Sequence, residues 1–246
     1  MNLSIISLLK NFDTDCINSY ESLYSQSSNE FEHIVIYKQL NDDKLNYLKN
    51  KFYLSNFILE NENDYKNKFF ALNQGIKIAK GKYVMVLHSD DIICNKNLIS
   101  EINNLQNDNA EFITTGVKIL NKEKKVIRKW MFSENKDLFG FSDIPPHTGF
   151  IYKKNLHEIF GLYSLDFPIA SDFDFMLKFF SNKKDKKNYK IINNYSIDMS
   201  FGGDSTKFKN LAKVFSEDRL IFKTQKKNFP IIRAIYKKIL KISQFL

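Results

Sequence analysis

Cysteine, proline and glycine are all scarce in this 246-residue chain, at 2, 4 and 8 residues. The two cysteines, Cys16 and Cys94, form no CxxC pair, which excludes a thiolate zinc site and leaves little support for a disulfide; a reducing compartment is expected. So few glycines and prolines exclude long flexible linkers. No apolar run approaches the ~18 residues of a membrane-spanning helix. The opening MNLSIISLLKNFD carries its lysine after the apolar run, the reverse of a secretory leader. Negative charge is missing from one region: no Asp or Glu follows Asp218. Eight of the 37 basic residues lie beyond it, so 29 basic residues face 28 acidic ones in the first 218 positions. The net charge of +9 is therefore a C-terminal property, and the body of the chain is near neutral.

What is present is enough apolar side chain, at 43% of residues, for one sizeable core. LSIISLL (3–9), EHIVIY (32–37), FIL (57–59) and YVMVL (83–87) are short continuous apolar runs, the pattern of strands covered on both faces. Residues 18–24, 43–53 and 66–80 between them have helical spacing, and Gly81 reads as the glycine just past a helix end. The alternation predicts an α/β fold with a mostly parallel central sheet flanked by helices. Further on, 96–106 reads as helix, 111–120 and 124–132 as a strand pair around Asn121-Lys122, 153–160 and 169–180 as helices, and 190–205 as a strand closing on Gly202-Gly203. No internal repeat is visible and no boundary falls before about residue 207. The expected organisation is one domain over 1–206 and a basic helical extension over 207–246.

The chemistry-bearing residues gather at element ends. In VLHSDDII (86–93), Asp90 and Asp91 end a buried strand, where ligands bind in open parallel sheets. Two adjacent carboxylates there either cap the next helix or hold a divalent cation, Mg²⁺ or Mn²⁺, together with substrate phosphates. Asp172 and Asp174 in ASDFDFMLKFF lie about 200° apart on a helix, so one is expected to point into a site and the other outward. They read either as acids favoured at a helix N-terminus or as a general base in apolar surroundings. His147 follows Pro145-Pro146 in a rigid loop and is a hydrogen-bond partner or a chemical group. Gly202-Gly203 with Ser205 offers backbone N–H groups able to hold phosphate oxygens.

Taken together, the strand SII, the run ALNQGIKIAKGKYVMVLHSDDII, the segment PHTGFIYKKNLHEIFGLYSLDFPIASDFDFMLKF and the turn FGGDS resemble family 2 glycosyltransferases of the GT-A fold, in a bacterial surface-polysaccharide branch. The resemblance spans about residues 3–206. It implies an inverting, metal-dependent hexosyl- or N-acetylhexosaminyltransferase that uses a nucleotide-sugar donor, a UDP-sugar above all. The acceptor implied is a saccharide or a lipid-linked saccharide of capsule, O-antigen or lipooligosaccharide. It implies Asp172 as catalytic base and Asp90 and Asp91 as metal ligands. Ser7, Tyr37, Asn73, His88, Ser89, Asp90, Gly202, Gly203 and Ser205 would bind the donor. His147, Asp174 and Lys178 would serve the acceptor side or support it. His88 stands where the family has the first acid of D-S-D-D, Ser171 replaces the Glu before Asp172, and Lys178 replaces an Arg. Tyr37 and Phe70 occupy two further acidic positions. A binding protein derived from such an enzyme is the alternative. Specificity is expected in the loops around 133–150 and 181–190.

The tail FPIIRAIYKKILKISQFL (229–246) puts Ile231, Ile235, Ile239, Ile242 and Leu246 on one helical face and Arg233, Lys237 and Lys241 on another. A basic amphipathic helix binds an anionic membrane surface, or packs its apolar face on the catalytic domain or a second subunit in a homodimer. The expectation is a protein at the inner face of the cytoplasmic membrane. Nucleic acid is disfavoured as a partner, because the positive charge is confined to the tail and interleaved with isoleucine.

Overall fold

The computed structural model describes residues 2–60, 67–105, 109–133, 144–181, 188–205 and 207–242. The expected specificity loops fall partly outside these residues, at 134–143 and 182–187, as does Leu246. The first half is a parallel α/β unit. Strands β1 (Leu3–Leu9), β2 (Glu32–Tyr37), β3 (Ser55–Leu59) and β4 (Tyr83–Val86) are linked by helices α1 (Thr14–Tyr24), α2 (Asp42–Lys51) and α3 (Lys68–Ile78). β1 pairs in parallel with β2 on one side and with β4 on the other, while β3 pairs with the far edge of β2. Strand order therefore reverses at β1, and the crevice at the carboxyl ends of β1 and β4 is where this topology leaves room for a ligand.

The second half extends the sheet. It comprises β5 (Ile92–Ile93), α4 (Leu98–Leu105), β6 (Phe112–Leu120), β7 (Val126–Trp130), β8 (Phe150–Lys153), α5 (Leu156–Phe160), α6 (Ser171–Ser181), β9 (Tyr189–Ser200), α7 (Leu211–Thr224) and α8 (Pro230–Ile242). The sheet runs β3-β2-β1-β4-β8-β6-β9-β5, with β7 paired to β6. β8 is antiparallel to both β4 and β6, and β9 runs parallel to β6. The sheet is thus parallel through its first four strands and mixed beyond them.

Alternation along the strands divides the core. Ile6, Ile34, Val84 and Val86 face α3, α6, α7 and α8, meeting Phe69, Leu72, Phe175, Ile221, Phe222 and Ala234. Leu3, Ile5, Tyr83 and Met85 face the other way, onto Leu23, Leu98, Ile99 and Ile102. Side-chain oxygens of Asp13, Asn41 and Asn67 cap the first three helices by accepting from backbone N–H groups at 3.0, 3.1 and 2.9 Å.

One expected device is replaced. Helix α3 stops at Ile78, and Ala79 is already extended at ψ 131°. Gly81 is not a left-handed terminator. Glu32 Oε2 accepts the Lys80 N–H at 2.8 Å and Ser4 Oγ accepts the Gly81 N–H at 2.8 Å, so strand-end side chains take over the backbone donors. A Cβ at position 81 would stand 2.6 Å from the Ser4 backbone nitrogen. The glycine is required by close approach to β1. Gly161, by contrast, has φ +80° and open space around it. Gly81→Ala should cost about 2 kcal/mol or more through its clash with β1. Urea denaturation measures the loss, and a variant as stable as the parent would contradict the close-approach account.

Candidate active site

The acidic turn is held by side chains of α1 and of the end of β9. After β4, the His88 carbonyl accepts from Ser19 Oγ of α1 at 3.1 Å and from the Asp91 N–H at 3.0 Å. The Asp90 carbonyl accepts from Ser200 Oγ at the end of β9 at 3.2 Å. Asp90 is an exposed residue at the cavity wall, its carboxyl partly desolvated there, whereas Asp91 is 2% exposed. Burial pushes the Asp90 carboxyl up, and burial together with the Asp90 charge pushes Asp91 well above the usual carboxylate range. Asp91 Oδ2 is buried without a hydrogen-bond partner. An orphaned carboxylate oxygen on a cavity wall is a group that a cation would satisfy. Among the described residues no His, Cys, Asp or Glu cluster of three or more could hold a metal ion, so a bound cation would draw its remaining ligands from substrate and water.

A cavity of about 570 Å³ opens at this turn. His88, Ser89, Asp90 and Asp91 form one end of its lining, and His147, Asp172, Gly202, Gly203 and Ser205 also reach it. Gly202 takes φ +114°, which bends the chain back over the cavity after β9. Asp172 lies in the first turn of α6, where Oδ1 accepts the Phe173 N–H at 2.8 Å. Burial alone would raise the Asp172 carboxyl. His147 when protonated, Lys68, the Phe173 N–H and Lys237 outweigh it and hold the group below the ordinary carboxylate value. His147 Nδ1 stands 4.0 Å from Asp172 Oδ2. The His88 and His147 rings lie 6.1 Å apart, and burial lowers both, His88 to about 3.

Other candidate residues lie elsewhere. Ser7 is fully buried, with Oγ 3.0 Å from His33 Nε2, and Asn73 clamps the Tyr163 backbone through Nδ2 to O (2.8 Å) and N to Oδ1 (3.0 Å). Tyr37 packs in the side cluster formed by α1 and α2. None of the three lines the cavity. Asp174 does not point outward. It is 2% exposed, 2.6 Å from Lys178, and receives Gln225 Nε2 of α7 on both its carbonyl and its carboxylate. That pairing occupies Lys178 as well.

Sequence reasoning missed the part played by α7 and α8. Glu217 Oε2 accepts the N–H groups of Ile169 and Ala170, at 3.0 and 2.9 Å, just before α6. Lys237 Nζ pairs with buried Asp218 at 2.6 Å and sits 3.2 Å from the centre of the Phe173 ring. Asp218 and Lys237 both line the cavity, as do Lys10, Lys68 and Trp130. Lys237 carried no distinguishing signal among the lysines of a basic tail. In the tail helix Ala234 is buried, while Ile231, Ile232, Ile235 and Ile239 are 47–56% exposed, so of the alternatives for the isoleucine face, packing on the catalytic domain is the one the structure does not show.

A glycosyl transferase family 2 model matches residues 15–184, and the chain belongs to that family. An uncharacterized glycosyltransferase of Methanocaldococcus jannaschii, MJ1057, is 21% identical over 173 residues, covering 67% of this chain and 59% of the relative. The chain thus spans about three fifths of the curated relative it matches. The crystal structure of S. aureus TarS superimposes with a TM-score of 0.68 at 17% identity, over 95% of this chain and 41% of that one. TarS residues 1–349 in complex with UDP give 0.69, again at 17% identity, over 95% and 68%. The complex of that fragment with UDP-GlcNAc gives 0.68 at the same identity, over 95% and 69%. These likenesses establish the GT-A fold. The family match ends at residue 184, so α7 and α8 lie beyond it.

Lys237→Met should destabilise the protein by about 3 kcal/mol, because it strands the Asp218 carboxylate in the interior. Adding Asp218→Asn should restore most of the loss. Urea denaturation measures both, and a single variant as stable as the parent would show that the pair does not hold α8 in place.

Proposed function

We propose that this protein is an inverting glycosyltransferase that moves a hexosyl or N-acetylhexosaminyl group from a nucleotide-diphosphate sugar to a hydroxyl of a saccharide or lipid-linked acceptor in bacterial surface-polysaccharide synthesis. One observation carries the reading: Asp90, Asp91, Asp172 and the Gly202–Ser205 turn line one cavity at the switch point of the sheet. The UDP and UDP-GlcNAc complexes of the TarS fragment favour a UDP-sugar as donor.

In this reading the donor diphosphate lies between the acidic turn and the glycine turn, whose N–H groups meet phosphate oxygens. Asp90 and Asp91 would hold Mg²⁺ or Mn²⁺, which when bound supplies positive charge to the departing diphosphate. Asp172 stays ionised at neutral pH and accepts the proton of the acceptor hydroxyl, while the hydroxyl oxygen attacks the anomeric carbon opposite the leaving group. Lys68 and Lys237 keep that carboxylate charged. His88, held neutral by burial where the family has an acid, favours a second reading, a sugar-nucleotide binding module without turnover.

The outward face of α8 supports peripheral attachment to an anionic membrane. Its exposed isoleucines and Phe229, 65% exposed, stand in a segment with no acidic residue after Asp218. No helix among the described residues is long and apolar enough to cross a bilayer.

Asp172→Asn should lower transfer by about 10²-fold or more, with nucleotide-sugar binding retained in a thermal-shift panel containing Mn²⁺. Retained transfer would remove Asp172 as base, and a parent protein that binds donors without turning them over would establish the binding-module reading. Replacing Ile235 and Ile239 by Ser should weaken co-sedimentation with phosphatidylglycerol vesicles roughly tenfold or more, leaving turnover of a soluble acceptor unchanged. Unaltered vesicle binding would place the membrane contact elsewhere, and a loss of dimer mass instead would make the face a subunit contact.

A further inference from the structure

Behind Asp172 runs a buried file of polar groups whose hydrogen-bond direction is fixed at its far end. His157 Nδ1 on α5 lies 3.0 Å from the Gly161 carbonyl oxygen, which only accepts, so Nδ1 carries the hydrogen. Burial lowers His157 to about 4, so at neutral pH its Nε2 is bare and takes the hydrogen of Tyr152 Oη at 2.9 Å. Tyr152, having given its one hydrogen, accepts from Tyr163 Oη at 3.0 Å. Tyr163 in turn has none left for His147 Nε2 at 2.9 Å, so that nitrogen must be the donor. Both phenols are buried, and burial raises both, so each keeps its single hydrogen. Neutral His147 therefore carries its hydrogen on Nε2 and turns the Nδ1 lone pair toward Asp172 Oδ2, 4.0 Å away.

We propose that His147 is the positioning residue that receives the proton collected by Asp172, in a tautomer dictated by the Gly161–His157–Tyr152–Tyr163 file. The proposal rests on the transferase reading of Asp172. As the acceptor oxygen bonds to the anomeric carbon, the bond from that carbon to the diphosphate oxygen breaks and its electron pair leaves with the diphosphate. The hydroxyl proton passes to Asp172, and an approach of Oδ2 from 4.0 Å to hydrogen-bond distance then lets it be shared with His147 Nδ1, the imidazolium keeping its Nε2–H on Tyr163. After the products leave, the proton returns through Asp172 to water in the open cavity. A carboxylate alone is a weak base for a hydroxyl, and a waiting imidazole lone pair favours its protonated form. Lys68 and His88 also face His147, and Lys68, Lys237 and Tyr163 face Asp172, so the pair titrates as a unit within a largely cationic surround. Asn73 contributes at a distance, since its grip on the Tyr163 backbone sets where that hydroxyl lies.

The chain has only four histidines, so side-chain ¹⁵N spectra of the intact protein resolve the question. His147 should appear as the Nε2–H tautomer and His157 as the Nδ1–H tautomer. Tyr152→Phe frees the Tyr163 hydrogen to point at His147 Nε2, and should convert His147 to the Nδ1–H form. In that variant kcat should fall about tenfold or more with donor KM unchanged, and the acid limb of its pH profile should shift. Should Tyr152→Phe not fold, Tyr163→Phe removes the partner of His147 Nε2 and should raise the Nδ1–H fraction. In Asp172→Asn the ¹⁵N titration midpoint of His147 should fall by about one pH unit, a tenfold change in acidity, whether or not any sugar is transferred. His147 found as Nδ1–H in the parent, or a midpoint indifferent to Asp172→Asn, would overturn the proposal. Correct tautomers and a coupled midpoint without transfer would sink the transferase reading alone.

Discussion

The reversal of strand order at β1 is the constraint from which the rest of the molecule follows. With β2 and β3 on one side of β1 and β4 on the other, the connections leave the carboxyl ends of β1 and β4 uncovered. Two apolar clusters on opposite faces of the sheet fix that edge in place, so the chain can spend polar and charged groups there. Lys10 after β1 and His88–Asp91 after β4 are neighbours only because of this topology. The same edge tolerates Asp91 as a buried acid with an unpartnered oxygen, a feature that would be costly in a closed core and that a cation in the cavity would offset.

The family-matched portion leaves the cavity unfinished. The segment carrying Asp172 is gripped from beyond residue 184: Glu217 holds the two N–H groups before α6, Gln225 holds Asp174, and the ring of Phe173 lies against Lys237 and Phe222. A buried ion pair such as Lys237–Asp218 adds little net stability, since desolvation offsets much of its Coulomb attraction. Its value is geometric. It fixes which face of α8 turns inward, and thereby turns the isoleucines outward.

That helix also marks where sequence reading stops. Strands β1, β2 and β4 were legible because burial on both faces leaves a continuous apolar run. The acidic turn, the glycine turn and Asp172 were legible because each combines a chemical group with an element end. A helical wheel shows that Ile231, Ile235 and Ile239 lie together and that Lys237 lies apart, but not which stripe meets the protein. Here the inward stripe joins Ala234, Tyr236 and Leu240 to an ion-paired lysine, while the more apolar isoleucine stripe faces out. Gly81 illustrates the same gap. A glycine after a helical run reads as a terminator, whereas its cause is a β1 backbone distant in sequence. Ser7 and Asn73 match a family pattern, yet their polar atoms are engaged by His33 and Tyr163.

Proton bookkeeping links these two scales. Asn73 sets the Tyr163 backbone, Gly161 sets the direction of a hydrogen-bond file, and both effects converge on the one lone pair that faces Asp172. No member of that file needs to touch substrate for its chemistry to matter, because a phenol has a single hydrogen to give and a neutral imidazole has one donor and one acceptor. A residue matched by family pattern to donor binding can therefore bear on the proposed base through hydrogen-bond direction alone. The substitution at His88 belongs to the same economy of charge. An acid there would add a third carboxylate to Asp90 and Asp91, whereas an imidazole kept neutral by burial leaves that end of the cavity less negative. Lys10 and Lys68, which also line the cavity and lower the Asp204 carboxyl, add positive charge at the same end.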